Sequence, residues 1–315
     1  MTKQPLIILS GPTAVGKTAL SIELAKRVNG AIISADSMQV YKYMDIGSAK
    51  ITREEMQGVP HYLIDELEPT KEFNVALFQK LANKYMEQIY AKGKIPILVG
   101  GTGFYIQSVL YQIDFTENDS VMTYRKELET LARQEGKEYL HQMLWQVDEK
   151  SAREIHANNV KRVIRALEFY HKTGQKISEH NEEERKKDSP YNYVYFVLND
   201  ERAVVYDRIN LRVDLMFEQG LLEEVEKLKA MGCTKDMVAM QGLGYKEVLD
   251  YLDGRCSLDQ AKDKIKQETR HFAKRQLTWF RREKDVCWVN KQEFHREDEK
   301  IHQYMLDVLK EREII

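Results

Sequence analysis

Residues 11–18 constrain the fold of this chain more than any other segment. They form a complete phosphate-binding loop, G-x-x-x-x-G-K-[ST], in the order Gly11, Pro12, Thr13, Ala14, Val15, Gly16, Lys17 and Thr18. The glycines let the backbone curl until successive N–H groups point at phosphate oxygens, and Lys17 adds a positive charge. An apolar run at residues 6–9 precedes the loop and a helical pattern over residues 18–28 follows it. The segment therefore predicts a diphosphate or triphosphate site, with the Thr18 hydroxyl placed to bind Mg²⁺.

The first hundred residues alternate short apolar runs with helical patterns. Further strands are predicted over residues 31–35, 62–64 and 95–99, and a helix over residues 74–91. This alternation predicts an α/β fold with a parallel sheet, like that of the P-loop NTPases. Ligands bind beyond the carboxyl ends of parallel strands. We therefore expect the phosphate loop, Asp36, Asp65 and residues 100–103 to lie at one edge of the sheet.

Residues 116–190 differ in composition from the first hundred residues, because they are highly charged. Helices are predicted over residues 125–135, 136–145 and 159–173, and the charge run at 182–187 is typical of a solvated face. Strand character returns at residues 193–198 and again at 286–289. We predict a catalytic core formed by residues 1–115 and 191–315, with a helical insertion domain at 116–190.

Composition excludes several classes of protein. Lys and Arg number 48 and Asp and Glu 50, so a nucleic-acid site must be a local patch. The three cysteines are distant in sequence and indicate reduced thiols in the cytoplasm. No zinc motif is present. The first strand begins so early that we expect no signal peptide, and no apolar run is long enough to span a membrane.

Two segments are basic enough to bind RNA. Residues 262–284 carry nine Lys or Arg against three Asp or Glu, with Arg275 and Arg281 on or beside one helical face. The second basic segment consists of Lys161, Arg162, Val163, Ile164 and Arg165. Basic stripes with aromatic groups suit RNA phosphates and unstacked bases. A solvated helix face is the alternative for both, and Trp279 fits either a core or a stacking position.

Polar side chains at the strand ends offer further chemistry. Asp36 could ligate Mg²⁺, act as a general base or cap a turn. The amide of Gln39 has the groups that pair with an adenine edge. Asp65 resembles the acidic residue that supports Mg²⁺ in many phosphate-loop proteins, and the glycines of residues 100–103 allow close approach to a ligand.

Nine segments in this order resemble the tRNA dimethylallyltransferases, also called tRNA isopentenyltransferases. The matching segments are residues 11–18, 36–41, 44–50, 60–65, 99–105, 161–167, 212–216, 241–246 and 273–280. Only the phosphate loop is decisive by itself, but the joint occurrence is specific and extends over nearly the whole chain. Met38 stands where a smaller residue is common in the family. The zinc-finger extension of eukaryotic members is absent, which suggests the bacterial type.

The resemblance implies transfer of a dimethylallyl group from dimethylallyl diphosphate to N6 of an adenosine in tRNA, with release of diphosphate. The target adenosine lies directly 3′ of the anticodon. In this interpretation Lys17 and Mg²⁺ on Thr18 neutralise the diphosphate, and Arg212 helps to hold it. Thr102 resembles the residue that hydrogen-bonds the bridging oxygen, and Asp36 is the general base.

The resemblance also implies a tRNA surface. Asp36, Ser37, Met38, Gln39 and Thr102 would line the pocket of the flipped adenine. Arg125 and residues 161–165 would hold the anticodon stem-loop. Separately from the resemblance, the basic C-terminal stripe predicts that Arg275 and Arg281 bind tRNA phosphates. We expect a monomer. The alternatives are a P-loop small-molecule kinase or NTPase, an isopentenyltransferase acting on free adenine nucleotides, and a non-enzymatic RNA-binding protein.

Overall fold

The structure is a computed structural model that describes residues 3–115 and 122–315, without the side chains of Met122 and Arg185. The chain forms two compact units. The core unit comprises Met1–Gln112 and Pro190–Ile315, and the inserted unit is Ile113–Ser189. These boundaries lie close to those predicted at residues 115, 116, 190 and 191.

A parallel sheet forms the centre of the core unit. Its strands among the described residues are β1 (Gln4–Ser10), β2 (Gly30–Ser34), β3 (His61–Tyr62), β4 (Ile95–Gly100), β5 (Tyr191–Asn199) and β6 (Val286–Asn290). Their spatial order is β3-β2-β4-β1-β5-β6, and every neighbouring pair is parallel. The predicted α/β class with a parallel sheet is therefore confirmed.

Helices account for much of the rest of the described chain. In chain order they are α1 (Lys17–Arg27), α2 (Arg53–Met56), α3 (Val75–Ala91), α4 (Gly103–Leu110), α5 (Met122–Gln134), α6 (Lys137–Val147), α7 (Glu149–Glu154), α8 (Val160–Thr173), α9 (Ile177–Lys186), α10 (Arg202–Glu218), α11 (Leu221–Ala230), α12 (Tyr245–Leu252), α13 (Leu258–Phe280) and α14 (Asp298–Glu311). Helices α5 to α9 belong to the inserted unit. No helix within the described ranges is long and apolar enough to cross a membrane.

Strand β1 is buried on both faces, as its continuous apolar run predicts. Leu6 and Ile8 point into one hydrophobic cluster, whereas Ile7 and Leu9 point into the other. Because successive strand residues face opposite sides of a sheet, this one strand joins the two layers of the core. Its carboxyl end is thereby fixed, and the phosphate loop begins there.

The third strand is shorter than predicted. Strand β3 ends at Tyr62, because Leu63 adopts φ 61° and Asp65 adopts φ 55°, which are left-handed conformations incompatible with a strand. The Asp65 carboxylate accepts a hydrogen bond of 2.6 Å from Lys50 Nζ. Asp65 therefore pairs with a lysine, and its suggested support of Mg²⁺ gains nothing from this geometry.

The inserted unit is a helical bundle with its own core. Leu128, Leu140 and Leu144 pack with Val163 and Leu167 in one buried cluster. The three predicted helices appear as α5, α6 and α8, and most of the charge run at 182–187 lies in α9. The unit thus brings the basic segment at 161–165 onto a packed helix.

A carboxylate of the core unit organises residues 44–50. Glu224 on α11 accepts hydrogen bonds from the backbone N–H groups of Asp45 (2.8 Å), Ile46 (2.7 Å) and Gly47 (3.1 Å). It also accepts a 2.8 Å hydrogen bond from the Tyr245 hydroxyl. A single side chain therefore satisfies three backbone donors of a segment that has no regular secondary structure.

We predict that Glu224→Ala lowers the free energy of unfolding by about 2–4 kcal/mol, because it leaves several half-buried donors without a partner. Glu226→Ala removes an exposed carboxylate from the same helix and should change it by less than about 0.5 kcal/mol. Urea denaturation of both variants measures the difference. Equal stability of the two variants would show that Glu224 does not hold residues 44–50.

Candidate active site

The phosphate loop connects β1 to α1 with the backbone conformation that its glycines predict. Gly11 has φ 143° and Gly16 has φ 100°, both in the region that favours glycine. A Cβ on Gly11 would lie 2.3 Å from the carbonyl oxygen of Leu198. The first glycine is therefore required by space as well as by conformation.

Lys17 folds back over the loop. Its ammonium donates hydrogen bonds to the carbonyl oxygens of Gly11 (2.9 Å) and Pro12 (2.8 Å). Burial and, to a lesser extent, the charge of Arg212 lower the pKa of Lys17 to about 7, while the charge of Asp36 opposes this shift. The lysine thus lies in a site where positive charge is in excess and an anion would be favoured.

Arg212 reaches the same loop from α10. Its Nη1 lies 3.4 Å from the Thr13 hydroxyl, although the two residues are 199 positions apart in sequence. The side chain is half-buried, and burial lowers the pKa of Arg212. The structure therefore brings together the loop and the arginine that the family resemblance associates with it.

Asp36 follows β2 at the same edge of the sheet. Its Oδ1 accepts hydrogen bonds from the backbone N–H of Met38 (2.8 Å) and of Gln39 (3.4 Å). Burial raises the pKa of Asp36, while these two hydrogen bonds and the charge of Lys17 act in the opposite direction. A half-buried carboxylate with a raised pKa is a stronger base than an exposed aspartate.

Residues 100–103 lie directly beside Asp36. A Cβ on Gly100 would lie 2.3 Å from the carbonyl oxygen of Ala35, and the Thr102 N–H donates to that same oxygen at 3.4 Å. Thr102 precedes α4, but its side chain does not cap the helix. The Thr102 hydroxyl therefore does not cap α4. Thr102 lies in the loop next to the one that carries Asp36.

The structure assigns Gln39 a role that sequence reasoning missed. Its amide oxygen accepts a hydrogen bond from Ser34 Oγ (3.0 Å), and its amide nitrogen faces the carbonyl oxygens of Ser48 (3.4 Å) and Ala49 (3.3 Å). The amide therefore joins residues 36–41 to residues 44–50. Direct pairing of Gln39 with an adenine edge is not supported, since both ends of the amide are already bonded.

Ser37 and Met38, which precede Gln39, have different surroundings. Met38 packs against Gly242, where a Cβ would lie 2.9 Å from the methionine sulfur. Ser37 is half-buried between Asp36 and Met38. These two side chains stay candidates for an adenine pocket.

Thr18 is exposed at the first turn of α1. Within residues 3–115 and 122–315, no group of three or more His, Cys, Asp or Glu side chains is placed to hold a metal ion. Mg²⁺ is usually held by one or two protein groups together with substrate phosphates and water. The residues at the phosphate loop therefore fit Mg²⁺ that arrives with a phosphate substrate.

The basic segment of the inserted unit divides into two faces. Lys161, Arg162 and Arg165 are exposed on α8, whereas Val163 and Ile164 are buried in the core of the unit. The prediction that the side chains of Val163 and Ile164 contact tRNA is therefore wrong. A helix that must bury its apolar face has only its charged face left for a ligand.

Arg125 on α5 is engaged by a carboxylate of the same unit. Its guanidinium donates hydrogen bonds of 2.7 and 2.6 Å to the two oxygens of the buried Glu168. A bidentate pair of this kind fixes the guanidinium plane. Arg125 therefore links α5 to α8, and contact with an RNA would use only its exposed edge.

The basic stripe of the core unit lies on α13 and on the two residues that directly follow it. Lys274, Arg275, Arg281 and Arg282 are exposed, and a groove of about 390 Å³ is lined by His271, Lys274, Arg275, Thr278, Trp279 and Arg282. Arg270 instead donates to Asn210 at 2.6 Å. Trp279 is half-buried, meets the Phe104 ring edge-on at 6.2 Å and also lines the groove. Trp279 therefore packs against a core-unit ring and also lies at the surface, so it combines the two alternatives that the sequence allowed.

Sequence reasoning assigned no role to Gln276, which joins the two glycine-containing loops. Its Oε1 accepts from the Thr13 N–H at 2.9 Å, and its Nε2 donates to the Gly101 carbonyl at 2.9 Å. Gln276 occupies the buried register of α13 together with Ala273 and Phe280. The sequence signal that could have identified Gln276 is a polar residue on the apolar, buried face of the helix.

The sheet, the phosphate loop and the converging Lys17, Arg212 and Asp36 define a phosphate-loop protein of the α/β class. A sequence model of the IPP transferase family matches residues 39–283. The chain belongs to this family, as the nine segments predicted.

Similar proteins extend the match over nearly the whole chain. A tRNA dimethylallyltransferase of Lachnoclostridium phytofermentans is 59% identical over 99% of both chains. The crystal structure of a tRNA isopentenylpyrophosphate transferase from Bacillus halodurans is 46% identical, with a TM-score of 0.74 over 99% of this chain and 98% of that one. A eukaryotic dimethylallyltransferase acting on tRNA is 30% identical, with a TM-score of 0.78 over 91% of this chain and 74% of the other.

The lowered pKa of Lys17 yields a prediction about protons. Because that pKa is about 7, Lys17 is neutral in most molecules at pH 8 before an anion binds. A bound diphosphate favours the ammonium, so binding to the wild type should take up about 0.5 to 1 proton more than binding to Lys17→Arg, whose guanidinium is always charged.

The measurement is calorimetric titration with saturating inorganic diphosphate at pH 8, in buffers of different ionisation enthalpy. The comparison with Lys17→Arg cancels protons released by the ligand itself. Equal proton uptake by the two proteins would contradict the lowered pKa.

Proposed function

We propose that this protein transfers a dimethylallyl group from dimethylallyl diphosphate to N6 of the adenosine 3′-adjacent to the anticodon in tRNA. Diphosphate is the second product. The observation that carries the proposal is the convergence of a phosphate loop, two cations and a half-buried carboxylate at one edge of the sheet. The names of the full-length relatives agree with this activity.

The phosphate loop binds the leaving group in this proposal. N6 attacks C1 of the dimethylallyl group, and the C1–O bond breaks with its electron pair passing to the diphosphate. Lys17, Arg212 and the N–H groups of residues 11–18 stabilise the negative charge that develops there. The Thr102 hydroxyl donates a hydrogen bond to the oxygen that leaves C1.

Asp36 accepts the proton of N6 as the new C–N bond forms. Its raised pKa, caused by burial, brings the base closer to the pH at which the enzyme works. Asp36 also lies near Lys17, so one site serves both the leaving group and the nucleophile.

Mg²⁺ fits beside Thr18 and would be held by that hydroxyl and the oxygens of the diphosphate. When bound, it neutralises charge on the leaving group. The residues of the chain contribute position and hydrogen bonds around it.

The tRNA is bound by exposed basic side chains in this proposal. Lys161, Arg162 and Arg165 contact the anticodon stem-loop, and Arg275 and Arg281 contact tRNA phosphates. The flipped adenine lies beside Asp36, Ser37, Met38 and Thr102. The enzyme acts as a monomer, and its tRNA substrate places it in the cytoplasm.

A competition between acceptors tests the function. The enzyme is incubated with labelled dimethylallyl diphosphate and Mg²⁺ in the presence of both tRNA and AMP, and label is counted in each. We expect label in tRNA only, and none in a tRNA whose target adenosine is replaced by guanosine. Label in AMP would establish a transferase of free nucleotides, and label in neither acceptor would overturn the proposal.

We predict that Asp36→Asn slows transfer by a factor on the order of 10²–10⁴ at every pH while both substrates still bind. In the wild type the rate should fall as pH drops through the raised pKa of Asp36, and the variant should lose this acidic limb. The exposed Asp207→Asn is the control and should behave as wild type. Recovery of Asp36→Asn at high Mg²⁺ would assign Asp36 to the metal instead.

The α13 stripe yields a prediction about salt. Each phosphate contact releases condensed counterions, so Arg275→Gln with Arg281→Gln should weaken tRNA binding and lower the slope of log affinity against log salt by roughly one unit per contact. Transfer at saturating tRNA should stay near wild type.

Filter binding across a salt series measures this effect. Lys300→Gln with Lys310→Gln on α14 removes the same charge elsewhere on the core unit and serves as the control. Coincident lines for wild type and the Arg275/Arg281 variant would show that the stripe is only solvated.

A further inference from the structure

One buried amide of α13 contacts both loops that the proposed function uses. Gln276 is only 5% exposed. Its oxygen accepts from the Thr13 N–H at 2.9 Å, and its nitrogen donates to the Gly101 carbonyl at 2.9 Å. The side chain thus spans from the phosphate loop to residues 100–103.

Gly101 provides a second, independent observation. Its φ does not lie in the left-handed region, so backbone conformation does not explain a glycine there. A Cβ at this position would lie 2.1 Å from Gln276 Nε2. The glycine therefore makes room for the amide, and the two residues form a matched pair.

The bridge ends beside two groups of the proposed reaction. Thr13 carries the hydroxyl that Arg212 approaches at 3.4 Å. Gly101 directly precedes Thr102, the proposed donor to the oxygen that leaves C1. One glutamine side chain therefore spans the separation between the phosphate loop and the residue before Thr102.

An amide fits this position better than other side chains of its size. The Thr13 N–H needs an acceptor, and the Gly101 carbonyl needs a donor. An ionised glutamate offers acceptors only, and a leucine offers neither group. Both would leave a half-buried backbone group without a partner, which favours movement of one loop.

We propose that Gln276 is a positioning residue for the transfer step, because it fixes the phosphate loop and Thr102 at the distance that breaking the C1–O bond requires. This inference rests on the proposed function. Gln276 touches neither substrate in it and acts through the two loops. Misplacement by about 1 Å of groups that act on a reacting bond lowers rates by about a hundredfold.

Two variants test the proposal. Gln276→Glu keeps the acceptor for Thr13 and loses the donor to Gly101, whereas Gln276→Leu loses both. Gln267→Leu changes an exposed glutamine of the same helix and is the control. For each protein we would measure kcat and KM for dimethylallyl diphosphate at saturating tRNA and pH 8.5, Kd for inorganic diphosphate, and the urea midpoint.

We expect Gln276→Glu to lower kcat about 30- to 100-fold while KM and the diphosphate Kd change less than about threefold. Gln276→Leu should lower kcat at least as much, and Gln267→Leu should match the wild type. A purely structural role would lower the urea midpoint and leave kcat unchanged.

Near-normal kcat in both Gln276 variants, or loss of diphosphate affinity equal to the loss of kcat in Gln276→Glu, would overturn the inference. These results need an active wild type. A wild type that labels no tRNA would overturn the proposed function and this inference with it, so the two failures are distinguishable.

Discussion

Two positive groups meet at the phosphate loop, and the rest of the site depends on this concentration of charge. Lys17 bonds to two carbonyl oxygens of its own loop, and Arg212 approaches the same loop from α10. Burial and mutual repulsion lower the pKa of Lys17 to about 7. Like charges held in a half-buried site favour a multiply charged anion. A diphosphate meets that requirement, and its charge increases as it leaves.

The same constraint bears on Asp36, the proposed base. Asp36 is close enough to Lys17 for each to shift the pKa of the other, yet its Oδ1 is occupied by two backbone N–H groups. It therefore compensates the cations only in part and keeps a raised pKa. A phosphate loop reads phosphates and not the group attached to them. The identity of the acceptor must then be decided elsewhere, and the exposed basic faces of α8 and α13 are suited to an RNA.

Local patterns predicted the parts of this structure that local physics decides. The apolar run at residues 6–9 became the buried β1, and the glycines of residues 11–18 adopted the conformations that only glycine favours. The strand predicted over residues 62–64 extends too far, because Leu63 adopts a left-handed conformation without the glycine that usually indicates one. Val163 and Ile164 were wrongly included among the RNA contacts. All of residues 161–165 were assigned to RNA, although a helix exposes one face and buries the other. Gln276 was missed because its partners lie 263 and 175 residues away, a separation that a pattern in one sequence does not encode.

The central claim is that the phosphate loop holds an intact leaving group while the chemistry takes place at carbon. Dimethylallyl diphosphate labelled with ¹⁸O at the oxygen between C1 and the α-phosphorus tests this claim directly. After one turnover with tRNA, mass spectrometry should find all of the ¹⁸O in the released diphosphate and a dimethylallyl group on the tRNA. Recovery of ¹⁸O in dimethylallyl alcohol or dimethylallyl phosphate would show cleavage at phosphorus and contradict the account.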